Sequence, residues 1–331
     1  MAAYGDRDDH LFIGGIAESP FWPTHRPYTE MEFQYQKFAA NVSCSPSEAA
    51  GGDTLACLRS KDTATLQSAD IRGVFPGGNS TAEWYFLPVV DGTFSDDFLY
   101  NQFDQGRIVK VPMIVGDDTD EGTGFAPNAT TSAEFLQFFK DNFPLLTEAE
   151  LQAINATYPE DGFPMFPKYA AYFGATETAY GENTLICPGI AQSESIAKYL
   201  DPSQSWNYRY NVEDLPTVAA GLGVPHVSEK KAIYGVNNTN KYDLCDYPCS
   251  YDTYNAPIIP IVMDYWISFI LTLNPNTYKN PAAPQWQTWL DAQGQPQRLV
   301  FQTNDTRMVD IPSAQLDRCE FWKGLANVTQ Q

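Results

Sequence analysis

Residues 109–122 read VKVPMIVGDDTDEG. The first half is apolar and β-branched, the composition of a strand covered on both faces, as in a parallel sheet. The second half stops abruptly at acids and a glycine. In open α/β sheets the working residues sit just beyond the carboxyl ends of strands. Glu121, between Asp120 and Gly122, falls at such a position. The competing readings are a solvated acidic turn and a weak calcium loop. The spacing does not match an EF-hand, and acidic loops are common in a chain of this charge.

Three further stretches read as strands. LFIGGIAES (11–19) is apolar and Gly-kinked, and reads as buried. SWNYRYNVE (205–213) alternates and is rich in aromatics, and QRLVFQTND (297–305) supplies a last strand. Helices lie between them. Thr131 with Glu134, and Thr147 with Glu150, have capping-box spacing ahead of amphipathic runs. IVMDYWISFILTLNP (261–275) is apolar nearly all round. It is too short to cross a bilayer and carries Asp264, so it reads as a buried core helix that stops before Pro275. Strands alternating with helices predict an α/β fold with a mostly parallel sheet. Four strands make a narrow sheet for 331 residues, which reads as part of a larger one.

The strand at 205–213 is followed by GVPHVSEKKAIYG (223–235), which holds His226, one of three histidines. An acid after one strand and a histidine after a later one is the order of hydrolase triads built as Ser, then Asp or Glu, then His. The acid would fix the imidazole tautomer and stabilise the imidazolium. Against this stands the ordinary role of histidine as a structural or merely exposed side chain.

Composition narrows the class. Net charge is −21 with an isoelectric point near 4.3. Such a surface repels phosphates and argues against nucleic-acid binding. N-x-S/T sequons occur at Asn41, Asn79, Asn128, Asn155, Asn237, Asn304 and Asn327, where chance supplies about two or three. With an even set of cysteines (Cys44, Cys57, Cys187, Cys245, Cys249 and Cys319) they point to an oxidising, secretory compartment. Fifteen pairings are formally open. Cys44 and Cys57 bracket a short loop that a local bridge would close. Cys245 and Cys249 flank DYP and would close a tiny ring, and Cys187 would then pair with Cys319 over a long span. The spacings fit no zinc ribbon; no metal or organic cofactor is expected. Residues 1–11, MAAYGDRDDHL, are polar and contain no signal-peptide core.

Taken together, the sequence resembles the type-B carboxylesterase and lipase family of the α/β-hydrolase fold, its secreted fungal members above all. The resemblance rests on AYGDRDDHLFIGGIAESPFWP (3–23), CLRSKD (57–62), WYFLPVVDGTFSDD (84–97), KVPMIVGDDTDEGTGF (110–125), YFGATETAYGENTLICPG (172–189), GVPHVSEKKAIYG (223–235), MDYWISFILTLNPN (263–276) and CEFWKGL (319–325). These run in family order over nearly the whole chain. The resemblance implies that Glu121 is the triad acid and His226 the triad histidine. It implies supporting places for Ser19 in the A-E-S stretch, for Glu182 five residues before Cys187, and for Glu229 three after His226. It also implies the disulfides Cys44–Cys57 and Cys187–Cys319. Small-molecule or lipid esters are the implied substrates. Nothing in the sequence sets the oligomeric state.

The family nucleophile sits in G-x-S-x-G, and that pattern is absent from the 331 residues. GNSTA (78–82) lacks the final glycine. Ser19 is followed by Pro20, which has no N–H to offer an oxyanion hole. The expectation is therefore that residues 1–331 form a partial carboxylesterase domain. The first strands, oxyanion hole, lid, nucleophile elbow and signal peptide would lie upstream. Two alternatives remain: an esterase-like protein that binds or adheres without catalysis, and an intact gene of which Met1 is an internal methionine.

Overall fold

A computed structural model describes residues 1–239 and 249–331. Among these residues five strands form one sheet in chain order: β1 (Gly15–Glu18), β2 (Met113–Asp118), β3 (Ser205–Tyr210), β4 (Gln297–Phe301) and β5 (Arg307–Asp310). The first four run parallel, and β5 turns back antiparallel on β4. In register, Gly116 of β2 stands beside Glu18 of β1 and Tyr208 of β3. The four strands expected from sequence are all present, each shorter than its apolar stretch. Residues 11–13 are a correction. Leu11 is 83% and Ile13 73% exposed, because they precede the pairing of β1 with β2.

The helices used below are α1 (Ser132–Asn142), α2 (Glu148–Thr157), α3 (Phe173–Gly181), α4 (Cys187–Tyr199), α5 (Lys230–Tyr234), α6 (Ile258–Thr272) and α7 (Ser313–Gly324). Thr131 and Thr147 cap α1 and α2 as their spacing predicts; at Thr147 both halves of the capping box form. A π turn, Glu182–Ile186, joins α3 to α4.

The period-2 alternation of β3 sorts the two sides of the sheet. Trp206, Tyr208 and Tyr210 pack with Leu299 and Phe301 against Val262, Tyr265, Trp266 and Phe269 of α6. The other side presents Ser205, Asn207 and Arg209. Ser205 Oγ donates to the Ser193 carbonyl on α4 at 2.8 Å, and Arg209 Nε to Asp117 Oδ1 on β2 at 2.7 Å. Helix α6 also departs from expectation. One stripe is buried, but Ile267, Ile270 and Leu271 are exposed. A helix on the outside of a sheet buries only the stripe that faces it.

Candidate active site

Two loops leave adjacent strand ends and are tied together. After β2, the Asp120 N–H donates to the Val224 carbonyl at 3.0 Å; in return the Val224 N–H donates to Asp120 Oδ2 at 2.8 Å. This brings Glu121 to His226, and their side chains meet at 2.7 Å between Oε2 and Nδ1. Glycines allow the close fit. A Cβ on Gly122 would lie 1.9 Å from the Glu177 carbonyl oxygen of α3. Gly223 has φ +63° and packs on the Asp120 carboxylate. Val227, beside the histidine, has φ +70°. That conformation is costly for a β-branched residue and is tolerated where the surroundings over-determine it.

Glu121 is 1% exposed, and a buried carboxylate needs donors. It has three. Ser19 Oγ donates to Oε1 at 2.6 Å, the Asp118 N–H to Oε1 at 2.7 Å, and the imidazole to Oε2. Because the carboxylate can only accept, Nδ1 carries a hydrogen and the lone pair is left on Nε2. The His226 side chain is 28% exposed, so the imidazole lies at the rim. Burial alone would lower its pKa. The hydrogen bond and charge of Glu121, aided by Glu229, outweigh burial and raise it above the ordinary histidine value. The arrangement can take a proton at Nε2 and hold the resulting imidazolium against a fixed carboxylate.

The ligand atoms of Asp118, Glu121 and His226 lie within 4.8 Å of one another. Each Glu121 oxygen is already engaged, as is Asp118 Oδ2 by the Ser228 N–H at 3.2 Å. Of these oxygens, Asp118 Oδ1 has no donor among the described residues.

The other sequence-predicted residues divide. Ser19 is buried with φ +52°, and its hydroxyl is spent on Glu121. It holds the acid. Glu229 is buried at the start of α5, close enough to raise the His226 pKa through its charge, but the bonded partner of the imidazole is Glu121. Glu182 differs from its expected place. Its oxygens accept from Arg318 at 2.6 and 2.7 Å, from Tyr158 OH at 2.7 Å and from Gln315 at 3.1 Å. It ties the π turn to α7 and does not bond His226. The Cys44–Cys57 and Cys187–Cys319 disulfides are formed; the expected Cys245–Cys249 pair involves Cys245, outside the described residues. The sequon asparagines are exposed except Asn155, which is half-buried within α2.

Sequence reasoning missed Asp118 as a member of this cluster, and an aromatic wall beside it. Phe125 lies 5.4 Å from the His226 ring, Trp84 5.9 Å from Phe125, and Phe21 5.4 Å from Trp84, between ring centroids. Trp84 Nε1 is anchored on Tyr180 OH at 2.9 Å. Phe21, Trp84 and Phe125 all lie in stretches that carry the family resemblance, which was the available signal.

The sequence model of the Carboxylesterase family matches residues 7–322. Secreted lipase 4 of Gibberella zeae is 25% identical over 331 residues, covering 97% of this chain and 56% of that protein. Lipase 4 of Diutina rugosa is 35% identical over 161 residues, 46% of this chain and 28% of that protein. The crystal structure of Aspergillus niger EstA superposes on 100% of this chain with a TM-score of 0.92 and 48% identity, and the match takes up 62% of EstA. The chain thus spans between half and two thirds of the length of relatives matched along its whole extent. With an α/β-hydrolase sheet and a family match over nearly every residue, the chain belongs to the carboxylesterase family.

Proposed function

We propose that Glu121 and His226 are the acid and base of a Ser-His-Glu triad that hydrolyses carboxylic esters, with the serine on polypeptide outside these 331 residues. The observation that carries this reading is the 2.7 Å contact between a buried, triply bonded carboxylate and a rim imidazole at adjacent strand ends. In the proposed cycle His226 takes the serine proton as the hydroxyl attacks the ester carbonyl. It returns that proton to the leaving alcohol, and then activates water to release the acid. Glu121 fixes the tautomer and stabilises the imidazolium. Ser19 and the Asp118 N–H hold Glu121. The aromatic wall of Phe21, Trp84 and Phe125 would receive an apolar part of the ester. The sequons, the disulfides and the secreted lipase among the relatives support an extracellular setting.

The test is hydrolysis of a p-nitrophenyl ester. The polypeptide of residues 1–331 is expected to show none. A longer product of the same gene that includes an in-frame G-x-S-x-G is expected to be active, and His226→Ala should lower its turnover about a million-fold. Hydrolysis by residues 1–331 that His226→Ala abolishes would overturn the placement of the serine. An active longer protein indifferent to His226→Ala would overturn the triad.

A further inference from the structure

Behind the Glu121–His226 contact lie two more carboxyl groups. Asp118 ends β2 and is 0% exposed; Glu229 precedes α5 and is 3% exposed. Their side chains are hydrogen-bonded to each other. Asp118 Oδ2 accepts from the Ser228 N–H. The remaining oxygens Asp118 Oδ1 and Glu229 Oε2 are buried with no other donor in reach. Two carboxylates cannot hydrogen-bond: both only accept. Their contact requires an O–H.

We propose that Asp118 and Glu229 share one proton at neutral pH, and that this carboxyl–carboxylate pair is a positioning element which limits the negative charge facing the Glu121–His226 couple. A doubly ionised pair would add a second buried charge beside Glu121 and tighten the hold on the imidazolium. A singly protonated pair leaves one. Among the described residues, the charges that act most strongly on the pair are those of other carboxyls. Glu18 reaches Glu229 from β1, and Glu121 faces both carboxyls from the loop after β2. Tyr208 and Tyr210 of β3, and Tyr251 before α6, lie close by, as does Tyr234 on α5. Lys231 of α5 directs its Nζ to Thr239 Oγ1 at 3.0 Å, and the charge of Lys230 opposes the rise in the His226 pKa. Burial first, and the charge of Glu229 second, push Asp118 well above the usual range; burial pushes Glu229 to about 7, with the hydrogen bond from Asp118 opposing the rise and the charge of Glu121 adding to it. The consequence for ester cleavage rests on the function proposed above. The shared proton does not.

Amide substitutions separate one proton from none. Asp118→Asn and Glu229→Gln each replace the O–H with an N–H donor and leave one charge on the partner. The double variant removes that charge. In the chain of residues 1–331, the His226 titration midpoint, followed by imidazole NMR, is expected to move by less than about 0.3 pH unit in either single variant. In the double variant it should fall by about one unit, the effect of one charge at this range. Infrared spectra at neutral pH should show a protonated-carboxyl carbonyl band that either single variant removes. If each single variant lowers the His226 midpoint by as much as the second substitution does, and the band is absent in the parent, the pair carries two charges and the proposal fails. Both readouts are independent of esterase activity, so its absence leaves this test intact.

Discussion

At the carboxyl ends of β2 and β3 the molecule buries charge; along the outer side of β1 and α6 it leaves hydrocarbon in water. The first region packs Asp118, Glu121 and Glu229 to between 0% and 3% exposure, and backbone N–H groups, a serine and a histidine accept the cost. The second shows Ile267, Ile270 and Leu271 on α6, with Leu11 and Ile13 ahead of β1. Composition alone would assign these residues the other way round. Burial follows position relative to the strands. β2 lies between β1 and β3 and is buried at every residue, whereas β1 pairs on one side only and is half-buried throughout. At the end of this central strand Asp118 Oδ2 and Glu121 Oε2 find partners on the loop after β3. An apolar side chain on the far side of an outer helix finds nothing among the described residues.

The largest difference between the regions should appear in packing. Phe301 of β4 is 0% exposed among Tyr208, Tyr265, Trp266 and Trp286. Phe301→Ala is expected to cost about 3–5 kcal/mol in urea unfolding, the usual result for an aromatic removed from a closed core. A loss below about 1 kcal/mol would mean that the centre of the sheet is not the rigid body on which the site depends.

The charged cluster gives a smaller, pH-dependent effect. Burial raises the Glu229 pKa to about 7. The folded chain therefore binds more protons than the unfolded chain between the ordinary glutamate value and about 7. Wild-type stability falls as pH rises through that window. Glu229→Gln has no such proton to lose. It should gain on wild type between about pH 4.5 and 7, by on the order of 2 kcal/mol. His226, also raised, contributes a term of the same sign: present below the unfolded histidine pKa and lost as pH rises through the folded one. That term differs between the two proteins only by the His226 shift of less than about 0.3 pH unit expected above, and so is nearly equal in both. Parallel stability–pH curves for the two would show that Glu229 is not held as a buried acid.

How much of this was legible in the sequence depends on distance along the chain. Strand ends were readable, because apolar runs that stop at acids are local patterns; the order of Glu121 and His226 after two strands made them candidates, and the family resemblance implied their roles. β5 was not, since its four residues, RMVD, are exposed or half-exposed and carry no apolar alternation. The cluster behind the site was not readable either. Ser19 meets Glu121 across 102 residues and Ser228 meets Asp118 across 110, and nothing in Asp118's own neighbourhood separates it from the acids beside it. The family resemblance located Ser19, but not what its hydroxyl would do. Glu182 is the opposite case: the resemblance implies a supporting place for it at the site, whereas in the fold Arg318 of α7 donates to its carboxylate.

The smallest predicted effect is the sharpest test of the comparison. Ile270 is 67% exposed on α6, so a charged side chain there should displace little that is buried. Ile270→Lys is expected to change the unfolding free energy of residues 1–331 by no more than about 0.5 kcal/mol, as for other surface substitutions. Its larger effect should be on self-association. The groove between β1 and α6 is lined by Glu18 and Tyr234 and by Ile16, Ile233, Met263, Trp266, Ile267 and Ile270, Ile270 being the most exposed, and apolar surface left in water drives contact between copies. A lysine there should therefore raise the concentration at which the chain remains monomeric in sedimentation, while leaving the melt in place. If Ile270→Lys instead destabilises the monomer by more than about 1 kcal/mol, the side chain is covered by part of the same chain in solution, and the contrast between a closed centre and an open edge is lost.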